Sequence, residues 1–306
     1  MENTKKEPLF IRKFKSALRK WKNLGWGVKI FLTLFFLFFV FEAVINLYPF
    51  LWVINNSLKS FEEFNEAPTA AMTTTWAFGN YLKVFEQFRV NGTVLYVEML
   101  FNSVWQTFLY LFVNLFSSLF IAYALAKFRF PGRGLLYAIM IFTQTIPIIG
   151  TGAAAYKLRF EMGLINNPAL IWICWAVGFD YSAFVMYGTF QGISKSYSES
   201  AELDGANEFQ ILFQIVFPQI FPCMLALMVT NFVARWNDYT FVQINLTDYP
   251  NLAYGMFLFQ TASSWSADGK VVYYASLVMS GIPGVILYAC FQGLIINNIS
   301  VGGLKG

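Results

Sequence analysis

The 306-residue sequence predicts an all-α polytopic membrane protein with six transmembrane helices, cytoplasmic N- and C-termini, and a cytoplasmic helix-turn-helix between helices 4 and 5. Three observations predict it. Hydrophobic residues make up 57% of the chain and charged residues only 12%, whereas a soluble domain carries about 25% charge, so too little polar surface remains to cover soluble globules. The apolar residues fall in long runs broken by polar loops. The basic residues collect on one set of alternate loops.

The elements follow in order. Residues 1–27 are a basic segment, with Lys5, Lys6, Arg12, Lys13, Lys15, Arg19, Lys20 and Lys22 set against Glu2 and Glu7. Residues 28–54 hold nineteen Phe, Leu, Ile or Val and one central charge, Glu42. At about −0.3 to −0.6 kcal/mol for each of those residues and roughly +3 kcal/mol for the acid, insertion is favourable by several kcal/mol. The run is too long for the apolar part of a cleaved signal and no small-residue cleavage site follows, so it reads as an uncleaved first helix. Residues 55–97 are a polar, extracytoplasmic loop with Pro68, the Thr73 to Thr75 run and Glu62, Glu63, Glu66 and Glu86.

Residues 98–306 hold the remaining five runs. The second, 99–126, ends in the basic turn Lys127-Phe-Arg129-Phe-Pro131-Gly132-Arg133, whose Pro and Gly cannot continue a helix. The third covers 135–156, interrupted by Pro147 as a hinge or kink, and the fourth 168–190, with Asp180 inside it. The fifth is 221–244 and the sixth 273–296, separated by a loop at 245–272. Of 21 basic residues, 14 fall on the side of the N-terminus, six opposite and one, Arg235, inside a run. That bias places the N-terminus in the cytoplasm of a multi-pass cell-membrane protein.

Composition also excludes function classes. With no histidine, and with Cys174, Cys223 and Cys290 far apart in apolar runs, there is no zinc motif, disulfide framework or His-based acid/base pair. Neither a GxxxxGK[ST] phosphate loop nor a GxSxG elbow occurs, so the chain is not expected to be an enzyme or to hold a cofactor. A net charge of +4 is too small to suggest nucleic acid.

The segment 196–222 is the most informative. Ser196 with Glu199 fits a capping box, which starts a short helix, and Gly205 can take the positive φ that stops it. Phe209, Leu212, Phe213, Val216 and Phe217 then recur as one apolar helical face, closed by Pro218 and Pro222. Glu199, Glu202, Asp204 and Glu208 form an acidic rim that anionic lipid would repel and a basic protein groove would match. A solvated turn packed on the bundle's own ends fits the pattern equally well.

Glu199-x-Ala201-x-x-Asp204-Gly205-Ala206, with nine residues separating Gly205 from Ile215 before Pro218, resembles the EAA motif of ABC importer permeases. Further stretches resemble the carbohydrate branch, the smaller maltose-type permease in particular. They are the run from Ala122 to Arg133, Gln144-Thr-Ile-Pro147, Gly163-Leu-Ile-Asn166, Trp236-Asn237-Asp238 and the end Gly302-Gly-Leu-Lys305-Gly306, and together they cover about residues 95–306. Ser200, where the family usually has Ala, and Leu212, where it often has Phe, are departures. The resemblance implies that 98–306 is a permease core whose loop 196–222 is a coupling helix seated on a separate ATPase subunit. ATP and magnesium would be held by that subunit and none by this chain. Glu199, Ala201, Asp204, Gly205, Ala206, Phe209, Ile215 and Pro218 would carry the coupling, with Phe209 to Phe217 anchoring the loop to the bundle. It further implies a second homologous permease, two ATPase subunits, an extracytoplasmic solute-binding protein and a carbohydrate substrate. The Gly-rich C-terminus would reach between the ATPases, or fray. Tyr254, Phe257, Phe259 and Trp265 would meet the binding protein from the 245–272 loop, or sit at the lipid headgroups.

Charged and polar residues inside the membrane are functional candidates. Asp180 either lines the pathway or bonds a neighbouring helix. Arg235 and Asp238, i and i+3 on a helix, can pair locally. Gln144, Asn231 and Asn237 could bind sugar hydroxyls or join helices, and Gly188 with Gly192 would allow close helix packing. Two rivals stand beside an ATP-driven importer. An ion-coupled secondary transporter would need no acidic coupling loop, and a membrane-embedded transferase would need clustered carboxylates or a histidine.

Overall fold

The computed structural model describes residues 21, 24–66, 70–90, 94–146, 150–176, 178–261 and 267–299. Most of the basic N-terminal segment, Pro147, Trp265 and the Gly302–Gly306 end lie outside the described residues. Among the described residues, the regular elements are helices apart from one small hairpin, β1 (Arg89–Val90) paired antiparallel with β2 (Val94–Leu95). Four helices among the described residues are long and apolar enough to cross a membrane: α1 (Trp26–Ser57), α4 (Tyr96–Lys127), α9 (Glu208–Trp236) and α12 (Ala267–Ile299). Helices are what a lipid environment demands, because each satisfies its own backbone polar groups.

Helix α1 runs about 48 Å at about 1.5 Å per residue and is apolar on every side, with its large hydrophobic residues exposed. Only its end meets the bundle. Trp52 packs edge-on against Tyr274 of α12, and Asn56 and Ser57 are buried. Helices α2 (Phe61–Glu66) and α3 (Gly79–Gln87) follow, and Asn80 of α3 donates to the Ser57 and Lys59 carbonyls at 2.9 and 2.8 Å, closing the α1 terminus.

Helix α4 forms the centre. It packs on α7 (Tyr181–Gly192), α9 and α11 (Leu252–Thr261), while α12 lies against α9, α3 and α1. Leu119, Met186, Phe190, Ile211, Val216 and Ile220 build the core at the end carrying residues 196–222, and Phe88, Tyr96, Met99, Phe232 and Val272 build a second core at the opposite end. Gly255 has no Cβ to meet the Met99 side chain, so α11 lies close on α4. Gly188 and Gly192 do not have this role: both face open space, so the GxxxG spacing mediates no packing within the chain.

The stretch expected to be interrupted at Pro147 is divided, and so is one expected as continuous. Residues 135–156 fall in α5 (Arg133–Thr145) and α6 (Gly152–Glu161). Residues 168–190 form a 3₁₀ turn, Ile171–Trp175, and then α7. The fifth run also ends early, at Trp236, and resumes as α10 (Tyr239–Asn245). Hydropathy is continuous across these breaks, but Gly178 at φ +64° and the aspartates beyond the breaks are not helix-interior residues. Asp180 is the N-cap of α7, its Oδ1 accepting from Ala183 N at 3.0 Å. It also accepts from Asn114 Nδ2 and Ser118 Oγ of α4, both at 2.8 Å. Ser182 continues the network to Asn231 of α9, whose Nδ2 donates to its Oγ at 2.9 Å.

In the 55–97 loop, Glu63 organises the threonine run. Its carboxylate accepts from the Thr75 hydroxyl at 2.6 Å, the Thr74 amide at 2.7 Å and the Thr74 and Thr73 hydroxyls at 3.0 and 3.1 Å. The Thr75 hydroxyl foremost, then the Thr74 amide and the other hydroxyls, hold its pKa down from 4.5 to about 2. A depressed carboxylate pKa contributes stability that is complete above the ordinary value and lost on acidification through the lowered one. The exchange protection factor over residues 70–78, the intrinsic rate divided by the observed rate at the same pH, is therefore expected to stay high at neutral pH and to fall as pH drops from 4.5 toward 2, and Glu63→Gln should lower it at neutral pH. Asp180→Ala should lower stability by about 2–4 kcal/mol, through the lost cap and the buried Asn114 donor left unpaired; a denaturation midpoint equal to wild type would contradict that role.

Candidate functional site

The loop at 196–222 is built from a short helix, a glycine turn and the start of a long helix. Helix α8 (Lys195–Leu203) begins two residues before the position a Ser196 cap would set, because Ser194 and not Ser196 is its cap, accepting from Ser196 N at 3.3 Å. Gly205 stops it at φ +84°. The Ala206 amide bonds to the Ala201 carbonyl at 2.9 Å and the Gly205 amide to the Glu202 carbonyl at 3.0 Å, the paired bonds of a Schellman turn. Asn207 then caps α9 reciprocally with Gln210, at 2.8 and 2.9 Å.

The apolar face differs from the one the spacing predicts. Ile211, Leu212, Val216 and Ile220 are buried on the bundle with Ala201, and Ile215 and Phe217 pack against them, but Phe209 is 71% exposed and Phe213 is exposed too. Residues Ile211–Val216 wind as a π-turn, which shifts the period away from 3.6. Pro218 sits just beyond it, where its ring would clash with the carbonyl four residues back in a regular helix, and the wider winding relieves that clash. Neither Pro218 nor Pro222 ends the helix. Phe209 therefore does not anchor the loop. It is exposed like Leu203, 89% exposed, and Phe213, in a segment whose acids Glu199, Glu202, Asp204 and Glu208 are exposed too. Glu208 is tied to the bundle by the Tyr123 hydroxyl at 3.3 Å. Exposed apolar residues among charged ones suit a protein-binding surface.

The intramembrane polar residues divide into two groups. Asp180 and Asn231 belong to the network around Ser182, and Gln144 Nε2 donates nearby to the Phe179 carbonyl at 3.3 Å. Asp180 thus bonds a neighbouring helix. Asn237 stands apart, exposed at the end of α9, and lines a groove of about 240 Å³ with Phe232, Trp236, Met256, Ser280 and Gly284. That volume is below the roughly 300 Å³ at which small-molecule sites begin.

Arg235 and Asp238 pair as their spacing predicts, Nη1 to Oδ2 at 2.8 Å. Asp238 also caps α10, accepting from Phe241 N at 2.9 Å. The Arg235 side chain is 5% exposed and lies over three rings: Phe241 at 4.2 Å, Trp175 at 4.9 Å and Tyr110 at 5.3 Å. Each such contact is worth about 0.5–2 kcal/mol, and removing one partner of a buried ion pair costs about 3–5 kcal/mol. Arg159 of α6 reaches the same Phe241 ring at 5.6 Å and the Asn245 side chain at 3.1 Å.

Of the aromatic residues expected to project from 245–272, Tyr254, Phe257 and Phe259 are folded inward, and Trp265 lies outside the described residues. They stand on α11, which packs against α4 and α12, so Tyr254 is buried, Phe257 stacks on Tyr239 at 4.6 Å and Phe259 stacks on Phe88 at 4.6 Å. Exposed aromatics lie instead on the 55–97 loop. Trp76, 58% exposed, and Phe78, 64% exposed, stack at 6.4 Å beside the threonines bound by Glu63. Trp76 holds φ +48°, uncommon for a bulky residue. No composition signal marks such a position; only the adjacent Glu63 and threonine run hints at an ordered loop.

Residues 92–301 match the family described as binding-protein-dependent transport system inner membrane component. Among curated proteins, the chain is 28% identical to the diacetylchitobiose uptake system permease protein of Streptomyces coelicolor, over 86% of this chain and 85% of that one. It is 26% identical to the trehalose/maltose transport system permease protein of Thermococcus litoralis, over 87% and 94%. Among solved structures, a chain of a bacterial ABC transporter involved in the import of the acidic polysaccharide alginate shares the fold with a TM-score of 0.74, at 23% identity over 88% of this chain and 98% of that chain. The chain belongs to the family of binding-protein-dependent transport system inner membrane components, and its long apolar helices are those of a multi-pass membrane permease.

Proposed function

We propose that this chain is a permease subunit of an ATP-driven importer for a sugar or oligosaccharide. In this reading it crosses the cell membrane six times with its N-terminus in the cytoplasm, the divided pairs α5/α6 and 3₁₀/α7 counting as the third and fourth crossings. It works with a second, homologous permease, two ATPase subunits that hold ATP and magnesium, and an extracytoplasmic binding protein. The observation that carries the reading is the hook at 195–217: exposed apolar Leu203, Phe209 and Phe213 among exposed acids, bent at Gly205 and rooted in the core through Ala201 and Ile211, which this reading places in the cytoplasm. A secondary transporter needs no such surface.

ATP acts only through the ATPase conformation, since a ligand shifts an equilibrium solely by its differential affinity for the two states. Closure of the ATPases draws the two hooks together. The motion passes through Ile211, Leu212 and Val216 into α4 and α7, and the bundle opens outward. Asn237 stands on the pathway side, its groove supplying half of a sugar site that the second permease completes, while Asp180 and Asn231 join the helices behind it. The binding protein meets the outer face at Trp76 and Phe78.

Gly205→Asp tests the hook. Nothing in the chain lies within 4 Å of a Cβ at that position, and Asp tolerates positive φ better than most residues, so the variant is expected in the membrane at normal level. Uptake should be abolished and the ATPase should no longer respond to binding protein; normal uptake would reject the reading. Trp76→Ala should weaken stimulation of ATPase by sugar-loaded binding protein by about tenfold, as loss of a large aromatic contact does, with basal ATPase unchanged.

A further inference from the structure

Arg235 binds together parts of the chain that belong to different elements. Its guanidinium is the last-turn cation of α9, and around it stand Tyr110 from α4, Trp175 from the 3₁₀ turn and Phe241 with Asp238 from α10. A planar cation satisfies three rings and one carboxylate at once only while all four are brought together. Buried polar atoms are almost always hydrogen-bonded, yet Arg235 Nη2 and Trp175 Nε1 are both buried without a partner. This arrangement is therefore held by stacking and one ion pair, and leaves donors free for a second arrangement. Arg159 on the far part of Phe241 adds α6 to the same cluster, and Cys174, half-buried beside Arg159, lies within it.

We infer that Arg235 is a positioning residue that latches the outer end of this subunit shut, and that the latch opens when the bundle turns outward. The inference rests on the alternating-access reading above. The planar stacking face, not the charge alone, holds the elements, because an ammonium could keep the Asp238 pair but could not lie flat between rings.

Cys174 reports the state of the cluster. In the assembled transporter in nanodiscs, with Cys223→Ser and Cys290→Ser in this chain, the rate of Cys174 labelling by a charged maleimide is measured nucleotide-free and with ATP trapped by vanadate. ATP trapping should raise it about tenfold, the population shift that corresponds to about 1.4 kcal/mol. Arg235→Met and Arg235→Lys should both label fast without nucleotide and show ATPase activity that no longer requires binding protein. Equal labelling in the two nucleotide states of the otherwise wild-type protein overturns the latch, and that comparison decides the matter even if Arg235→Met fails to assemble. Wild-type shielding in Arg235→Lys overturns the claim that the planar face matters. Normal uptake by Gly205→Asp would defeat the coupling reading instead, so the two failures are distinguishable.

Discussion

Inside a membrane, a backbone amide or carbonyl that loses its helical partner has no water to replace it. Much of this fold answers that constraint at three breaks. Where the fourth apolar run is interrupted, Asp180 caps the new helix and is itself held by Asn114 and Ser118. Where the fifth is interrupted, Asp238 caps α10 and is held by Arg235. Where α1 leaves the bundle, Asn80 takes the exposed carbonyls of Ser57 and Lys59. A carboxylate in an apolar surrounding is costly alone, so each cap brings its own donors, and those donors fasten the broken helix to a neighbour. The intramembrane charges are joints first, and any part they take in transport is exerted through that geometry.

The hook and the Arg235 cluster stand at opposite ends of α9, and the helix connects them without interruption from Glu208 to Trp236. Its first third is buried against α4 and α7 through Ile211, Leu212, Val216 and Ile220, and its last third through Phe232, Arg235 and Trp236. A close-packed helix of this kind transmits displacement because neither end can move without repacking the core. At the hook, exposed Glu208 accepts from the Tyr123 hydroxyl at 3.3 Å and exposed Phe213 meets the Phe120 and Phe217 rings.

Apolar runs made α1 and α4 legible in the sequence to within three residues at each end and α12 to within six. Helix α9, by contrast, begins 13 residues before its apolar run (208 against 221) and ends 8 residues before that run does (236 against 244). The interruptions of the fourth and fifth runs were not legible, because Gly178, Asp180 and Asp238 hardly lower the mean hydropathy of their windows; what makes them breaks is the hydrogen bonds they accept. Gly205 was legible, since few other residues tolerate its φ. Phe209 was misplaced because a spacing argument assumes 3.6 residues per turn, and the turn over Ile211–Val216 does not wind that way. Tyr254 and Phe259 were expected outside because they lie between two predicted spans, where a folded-back helix gives the same sequence signal as an exposed loop. Trp76, Phe78 and the rings around Arg235 come from distant stretches or an unusual backbone angle, and no local pattern encodes either.

The wider winding at Ile211–Val216 has a consequence for everything downstream. Each residue of an α-helix turns the next by about 100°, so a stretch with a different count per turn resets the azimuth of all that follows. The compass bearing at which Arg235 leaves α9, toward Tyr110 and not toward lipid, is thus fixed some twenty residues earlier, beside the hook. Shortening that stretch by one residue would leave every helix intact and swing the guanidinium out of its cage, so the two ends of the subunit are threaded on a single screw.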